Sequence, residues 1–156
     1  MDEDQPQSHE SDRHTADALD RASIPRLGLS VTTLLAIFVG GAAGTVARYL
    51  IDAHNPHPPT SFPWPTLVIN LSGSLAIGLL VPLTEHVAPR APWARPLLVV
   101  GFLGGWTTYS TLAVEATLLA KNGDIMIFLA YVVATVVGGL ALVVVGTGIG
   151  RRMVPA

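Results

Sequence analysis

Four long runs of apolar residues, separated by short polar or proline-rich segments, dominate the chain. They cover roughly residues 31–52, 64–86, 96–120 and 125–149. About 20 apolar residues are enough to cross a bilayer as an α-helix. The pattern therefore predicts an all-α membrane protein, with one four-helix transmembrane domain over 28–152 and a C-terminal tail at 153–156.

The third apolar run contains an unusual stretch, "GFLGGWTTYSTL", at residues 101–112. Its glycines and the β-branched Thr107 and Thr108 weaken a helix at its midpoint. A continuous helix with a face of small residues is one interpretation, and a helix broken at membrane depth is the other. A break is tolerated only inside protein or beside a cavity, where freed carbonyls attract cations and freed N–H groups attract anions. The stretch favours a break in the middle of the third helix, serving as an ion site.

Polar residues on the second and fourth runs repeat at helical spacing. Thr66, Asn70 and Ser74 fall at i, i+4 and i+8, which places them on one face of a helix. Tyr131 and Thr135 form a similar pair on the fourth run. An amide within the membrane is costly unless it faces protein or water. The stripe on the second helix favours a polar pathway over simple helix packing, whereas on the fourth run alone packing is favoured.

Composition agrees with the membrane assignment and excludes several functions. Half of the residues are hydrophobic, 13% are charged and the mean hydropathy is +0.51. Residues 1–27 differ: they hold seven acidic residues and three arginines, so we expect a disordered hydrophilic tail. There is no cysteine and no cluster of catalytic residues, and the net charge is −2 without a basic patch. Neither enzymatic activity nor nucleic-acid binding is expected.

Other polar residues near the first run have simpler interpretations. His54 and His57 lie on the proline-rich loop "AHNPHPPTSFP", where we expect them to be solvated. Gly40 and Gly44 are spaced for close helix packing. Arg48, near the end of the first helix, is expected to reach the headgroups or to form a structural pair, and an inward role stays open.

Three motifs together resemble the CrcB/Fluc family of fluoride channels. They are "GGAAGTVARYL" on the first helix, "FPWPTLVINLSGSLAIGLL" on the second and "GFLGGWTTYSTLAVEA" on the third, in the family's order. The resemblance implies antiparallel dimers of four-helix subunits that export cytoplasmic fluoride passively across the cell membrane. It also implies a structural sodium ion at the dimer centre, held by backbone carbonyls of the broken third helix.

The family's functional positions are carried over by motif. The resemblance implies that the carbonyls of Gly104 and Thr107 bind the sodium ion. Any side chain at position 104 is expected to be damaging, through steric crowding and the constrained backbone. The Asn70 amide would donate to fluoride, with Thr66 beside it. The expected fluoride path comprises Thr66, Asn70, Tyr109, Ser110, Thr111, Leu112, Tyr131 and Thr135.

The chain departs from the family pattern at one position. Where the family has Phe-Ser-Thr-Phe, this sequence has Tyr109 through Leu112. Both family rings lie along the fluoride path, and leucine has no ring edge to offer an anion. The departure indicates that the chain is one half of a heterodimer, with a paralogue in inverted orientation favoured as the second subunit over a homodimer.

Basic residues predict the orientation in the lipid bilayer. Lysine and arginine concentrate on the cytoplasmic side of membrane helices. The side shared by both termini carries Arg21, Arg26, Arg90, Arg95, Arg151 and Arg152, and the other side carries Arg48 and Lys121. We therefore expect a single orientation with both termini cytoplasmic, which requires an oppositely oriented partner for an antiparallel dimer.

Two alternatives belong to other functional classes. A small multidrug-type proton-coupled transporter also has four helices, but it needs a carboxylate within the first helix. Here Asp52 lies at that helix's end and Glu115 in the outer part of the third, which argues against this class. A non-conducting partner subunit of a heterodimeric channel is the other alternative, and Leu112 supports it.

Overall fold

The computed structural model describes residues 30–154, and all regular structure within that range is helical. The tail predicted over residues 1–27 lies outside the described residues. The elements are α1 (Val31–His54), α2 (Trp64–Val87), α3 (a π-helix Pro96–Leu103 continued by the α-turn Gly104–Trp106), α4 (Tyr109–Lys121) and α5 (Ile125–Met153).

Four spans are long and apolar enough to cross a membrane: α1, α2, Pro96–Lys121 and α5. They confirm the four predicted transmembrane segments to within a few residues. The side chain of Ser30 caps α1 by accepting a hydrogen bond from the Thr33 amide at 3.1 Å. Because α5 continues to Met153, the fourth helix extends further than the predicted span of 125–149.

The third span is interrupted between α3 and α4, as predicted. Thr107 (φ −74°, ψ 155°) and Thr108 (φ −144°, ψ 123°) are extended, and α4 restarts at Tyr109. The glycines do not make the break, since Gly104 itself is helical (φ −64°, ψ −33°). The segment before the break is wound as a π-helix, a rare form often associated with functional sites.

Glycines instead let neighbouring helices touch. A side chain at Gly40 or Gly44 of α1 would collide with the carbonyl oxygens of Leu97 and Phe102 on α3. A side chain on Gly78 of α2 would likewise meet the backbone of α5. α1 therefore packs on α3, and α2 packs on α5, with their backbones in direct contact.

The buried core is small and lies among α2, α4 and α5. Leu67, Leu119 and Tyr131 form its centre. Most other large apolar side chains face outward, including Phe38 and Val144, each 73% exposed. In a bilayer such faces contact lipid or another subunit. The small core mainly positions the polar side chains that lie between α2, α4 and α5.

Candidate functional site

Asn70 of α2 holds the break in the third span. Its Nδ2 donates to the Thr108 carbonyl oxygen at 3.0 Å, and its Oδ1 accepts from the Thr108 amide at 2.8 Å. One side chain thus satisfies both backbone groups of an extended residue at membrane depth, where an unsatisfied group costs several kcal/mol. The second N–H of the amide is left for another acceptor.

The Thr108 hydroxyl begins the second half of the broken helix. It accepts a hydrogen bond from the Thr111 amide at 3.2 Å and donates to the Thr111 hydroxyl at 3.0 Å. This is an N-cap, so the positive end of α4 points into the break. Ser110 joins the same group, with its hydroxyl 3.3 Å from that of Thr108.

The break also frees backbone carbonyls. The Gly105 carbonyl accepts from Arg48 Nε at 3.1 Å instead of from a helical amide. The Leu103 carbonyl keeps a helical partner, the Thr107 amide, at 3.0 Å. Among residues 30–154, no hydrogen bond ends on the carbonyl oxygens of Gly104 or Thr107, the two predicted sodium ligands. Hard cations prefer such oxygens, so these carbonyls fit the predicted ion.

Gly104 itself is exposed, which corrects one expectation. A Cβ added there would have no atom within 4 Å in this chain. The predicted crowding is therefore wrong for the isolated subunit, and only a second subunit could produce it. The prediction of a structural pair is confirmed for Arg48. Its guanidinium donates to the Gly105 carbonyl and lies 3.9 Å from the carboxylate of Asp52.

A column of polar side chains runs between α2, α4 and α5. The Thr66 hydroxyl donates to Glu115 Oε1 at 2.8 Å, and the Tyr131 hydroxyl donates to Glu115 Oε2 at 2.6 Å. Thr66 is 1% exposed and Tyr131 is fully buried. The structure thus brings together two predicted path residues, but it joins them through a carboxylate.

Glu115 was not predicted as a site residue, although the sequence carried a signal for it. A carboxylate inside an apolar run is expensive and almost always faces a partner or a cavity. Glu115 was assigned from the sequence to the outer part of the third helix, where a carboxylate would be solvated at little cost. Helical spacing could have helped, because Thr111 and Glu115 are four residues apart.

His57 extends the column toward the α1–α2 loop. Its Nε2 lies 3.3 Å from Glu115 Oε1, and its Nδ1 lies 3.5 Å from the Asn55 carbonyl oxygen. The side chain is 29% exposed, compared with 14% for Glu115. The expectation of a solvated loop histidine is wrong for His57, whereas His54 hydrogen-bonds the Leu50 carbonyl at 2.7 Å.

Thr135 and Leu112 make different contacts, although Thr135 is buried and Leu112 partly so. Thr135 donates to the carbonyl of Tyr131, one turn earlier, at 2.8 Å, so its hydroxyl is used within its own helix. Leu112 packs against the cluster that contains Tyr131. An aromatic ring does adjoin this tyrosine: Phe62 meets it edge to face, with centroids 5.7 Å apart.

Tyr109 and Ser110 lie elsewhere. Both are exposed on the outer surface of the subunit, Tyr109 by 83%. The structure therefore places the predicted path residues in two groups. One is the buried column with Asn70 beside it, and the other is an outward face at the start of α4. Thr111 lies between the two groups, hydrogen-bonded to Thr108 at the break.

The fold and this site define a class: a multi-pass helical membrane protein with one broken helix, whose break is held by polar side chains. Comparison with known proteins identifies the family. The family model described as "CrcB-like protein, Camphor Resistance (CrcB)" matches residues 35–147. The chain belongs to the CrcB-like family.

Individual relatives support the same assignment. A protein named "Fluoride-specific ion channel FluC 2" from Nocardia farcinica is 42% identical over 130 residues, which cover 83% of this chain and 91% of that protein. Proteins named "Fluoride-specific ion channel FluC" from Rhodospirillum centenum (43% over 111 residues, 69% and 88% covered) and Chlorobaculum tepidum (40% over 114 residues, 73% and 90% covered) are similar.

Proposed function

We propose that the chain is a fluoride-specific channel subunit that lets cytoplasmic fluoride leave the cell passively. The observation that carries the proposal is the Asn70-bridged break beside a buried column of hydroxyl donors. The names of the relatives supply the identity of the ion.

The chemistry of the side chains suits a small, strongly hydrated anion. Water around fluoride must be replaced by donors. The second N–H of Asn70 is one, and the hydroxyls of Thr66 and Tyr131 would become donors to fluoride if they turned away from Glu115. None of these carries a fixed positive charge, so the anion would not be held too tightly to leave. The capped N-terminus of α4 adds a favourable potential at the break.

A sodium ion is proposed at the break, with structural rather than catalytic importance. The carbonyls of Gly104 and Thr107 would bind it, because both lack an amide partner among the described residues. Hard cations take more than two oxygen ligands, so another subunit would supply the remainder. The exposure of Gly104 is consistent with that arrangement.

The second subunit is proposed to be an inverted paralogue. Arginines favour the side shared by both termini, which predicts that both termini are cytoplasmic. The exposed Tyr109 would then face the partner or the path between the subunits. Because Leu112 stands where the family has a phenylalanine, this subunit lacks one of the two aromatic rings of the pattern. A paralogue would supply that ring.

A non-conducting partner subunit is the second candidate function. One observation favours it: the hydroxyls of Thr66 and Tyr131 both donate to Glu115, which leaves them unavailable to fluoride in this arrangement. Such a subunit would contribute the break and the sodium ligands while its partner conducts.

Growth of a fluoride-sensitive host tests the proposal. Expression of the gene, alone or with a neighbouring paralogue, should restore growth on fluoride. Rescue only with the paralogue would favour a heterodimer, and the Asn70→Asp variant in that pair would show whether this chain's pathway matters. No rescue in any combination, with the protein verified in the membrane, would refute the proposed function.

A further inference from the structure

The polar column ends at a carboxylate, which is unexpected beside an anion pathway. Glu115 is 14% exposed and lies 3.3 Å from the ring of His57. A carboxylate there repels an approaching anion, and the repulsion is strong because the apolar surroundings screen charge poorly. Something must offset that charge if anions pass.

His57 is placed to do so in its protonated form. Both of its ring nitrogens face oxygen atoms: Nε2 faces Glu115 Oε1 and Nδ1 faces the Asn55 carbonyl. A neutral imidazole carries a hydrogen on only one nitrogen, so it can donate to only one of these acceptors. The imidazolium donates to both, and the geometry therefore matches the charged ring.

We infer that His57 is a further residue of the anion pathway, which in its charged form neutralises Glu115 at the loop end of the column and makes conduction faster at acidic pH. The inference rests on the proposed function. In this arrangement the net charge at the loop end of the column depends on whether the His57 ring is protonated.

Three other titratable groups near this loop already have partners. On α1, His54 hydrogen-bonds the Leu50 carbonyl, and Asp52 lies 3.9 Å from Arg48. On α5, the Tyr131 hydroxyl donates to Glu115. Within the described residues, His57 is the basic side chain within 4 Å of that carboxylate.

Fluoride efflux from vesicles tests the inference. The protein, alone or with its paralogue, would be reconstituted and its efflux measured at about pH 5.5 and about pH 8, on either side of the range in which histidine titrates. Protein-free vesicles would supply the correction for leakage of hydrogen fluoride. We expect the unaltered protein to conduct about fivefold faster at the lower pH, because the positive charge on His57 would neutralise the negative charge of Glu115 near the path.

Three variants isolate the role of His57. His57→Gln should remove the pH dependence and keep the slow rate, and His57→Lys should keep the fast rate at both pH values. His54→Gln is the matched control and should behave like the unaltered protein, because His54 bonds its own helix.

Each outcome has a distinct meaning. Fluoride flux with the same pH profile in His57→Gln as in the unaltered protein would overturn the inference and leave the proposed function standing. Absence of flux at every pH, with or without the paralogue, would overturn both.

Discussion

Replacing Asn70 separates its two possible roles, which are holding the break and lining the path. In Asn70→Ala, both the amide and the carbonyl of Thr108 lose their partner. Each buried group left unsatisfied costs about 1–3 kcal/mol, so we expect a destabilisation of about 2–6 kcal/mol. For a chain of this size, the melting temperature falls by about 2–4 °C per kcal/mol.

Asn70→Asp is a sharper probe. An ionised aspartate can still accept from the Thr108 amide, but it places an oxygen against the Thr108 carbonyl, where asparagine has an N–H at 3.0 Å. Protonation would restore a donor at that position. The gap in melting temperature between Asn70→Asp and the unaltered protein should therefore narrow as the pH falls.

Thermal unfolding in detergent and fluoride efflux would be measured on the same preparations. Thr117→Ala, an exposed position on α4 whose hydroxyl donates to the Ala113 carbonyl of its own helix, serves as the control and should change both little. A lower melting temperature with unchanged flux would mean that Asn70 holds the break but does not line the path. Unchanged melting and unchanged flux in Asn70→Asp would refute both roles.

Further predictions concern packing, the column, the missing ring and orientation. Gly44→Ala should lower the free energy of unfolding by about 1–3 kcal/mol through overpacking against α3. Gly148→Ala, at an open position, should raise it by up to about 1 kcal/mol through helix propensity. Equal melting temperatures for the two variants would contradict this difference. Tyr131→Phe removes a donor to Glu115 and should cost about 1–3 kcal/mol in the same measurement. Leu112→Phe should raise fluoride efflux from vesicles that contain this chain alone, and an unchanged rate would mean that the ring is not limiting. Reporters fused to the C-terminus, one active only inside the cell and one only outside, should show a cytoplasmic terminus, and equal activity of both would mean dual orientation and a homodimer.

The sequence predicted the spans well, because twenty apolar residues leave little choice in a bilayer. The break was also predictable, since Thr107 and Thr108 follow a glycine pair at the midpoint of the run. Its mechanism was not predictable. Gly101 and Gly105 stay helical and admit the backbone of α1. The two threonines become extended because Asn70, 38 residues away in sequence, pairs with Thr108.

The column was only partly predictable for a similar reason. Helical spacing placed Thr66 on the same face as Asn70, but it could not show that Glu115 lies between Thr66 and Tyr131. Contacts between helices depend on how they rotate against each other, and single-helix periodicity carries little information on this. Loop residues are harder still, and His57 reaches Glu115 through a proline-rich turn without any repeating pattern.

Fluoride efflux from vesicles containing the purified protein, recorded with a fluoride electrode, tests the central claim most directly. Vesicles loaded with fluoride and chloride would be prepared with this chain alone and with its inverted paralogue. We predict rapid release of fluoride, with chloride retained, in at least one of the two preparations. Retention of fluoride in both, by protein shown to be folded and inserted, or equal release of chloride, would contradict the assignment as a fluoride channel subunit.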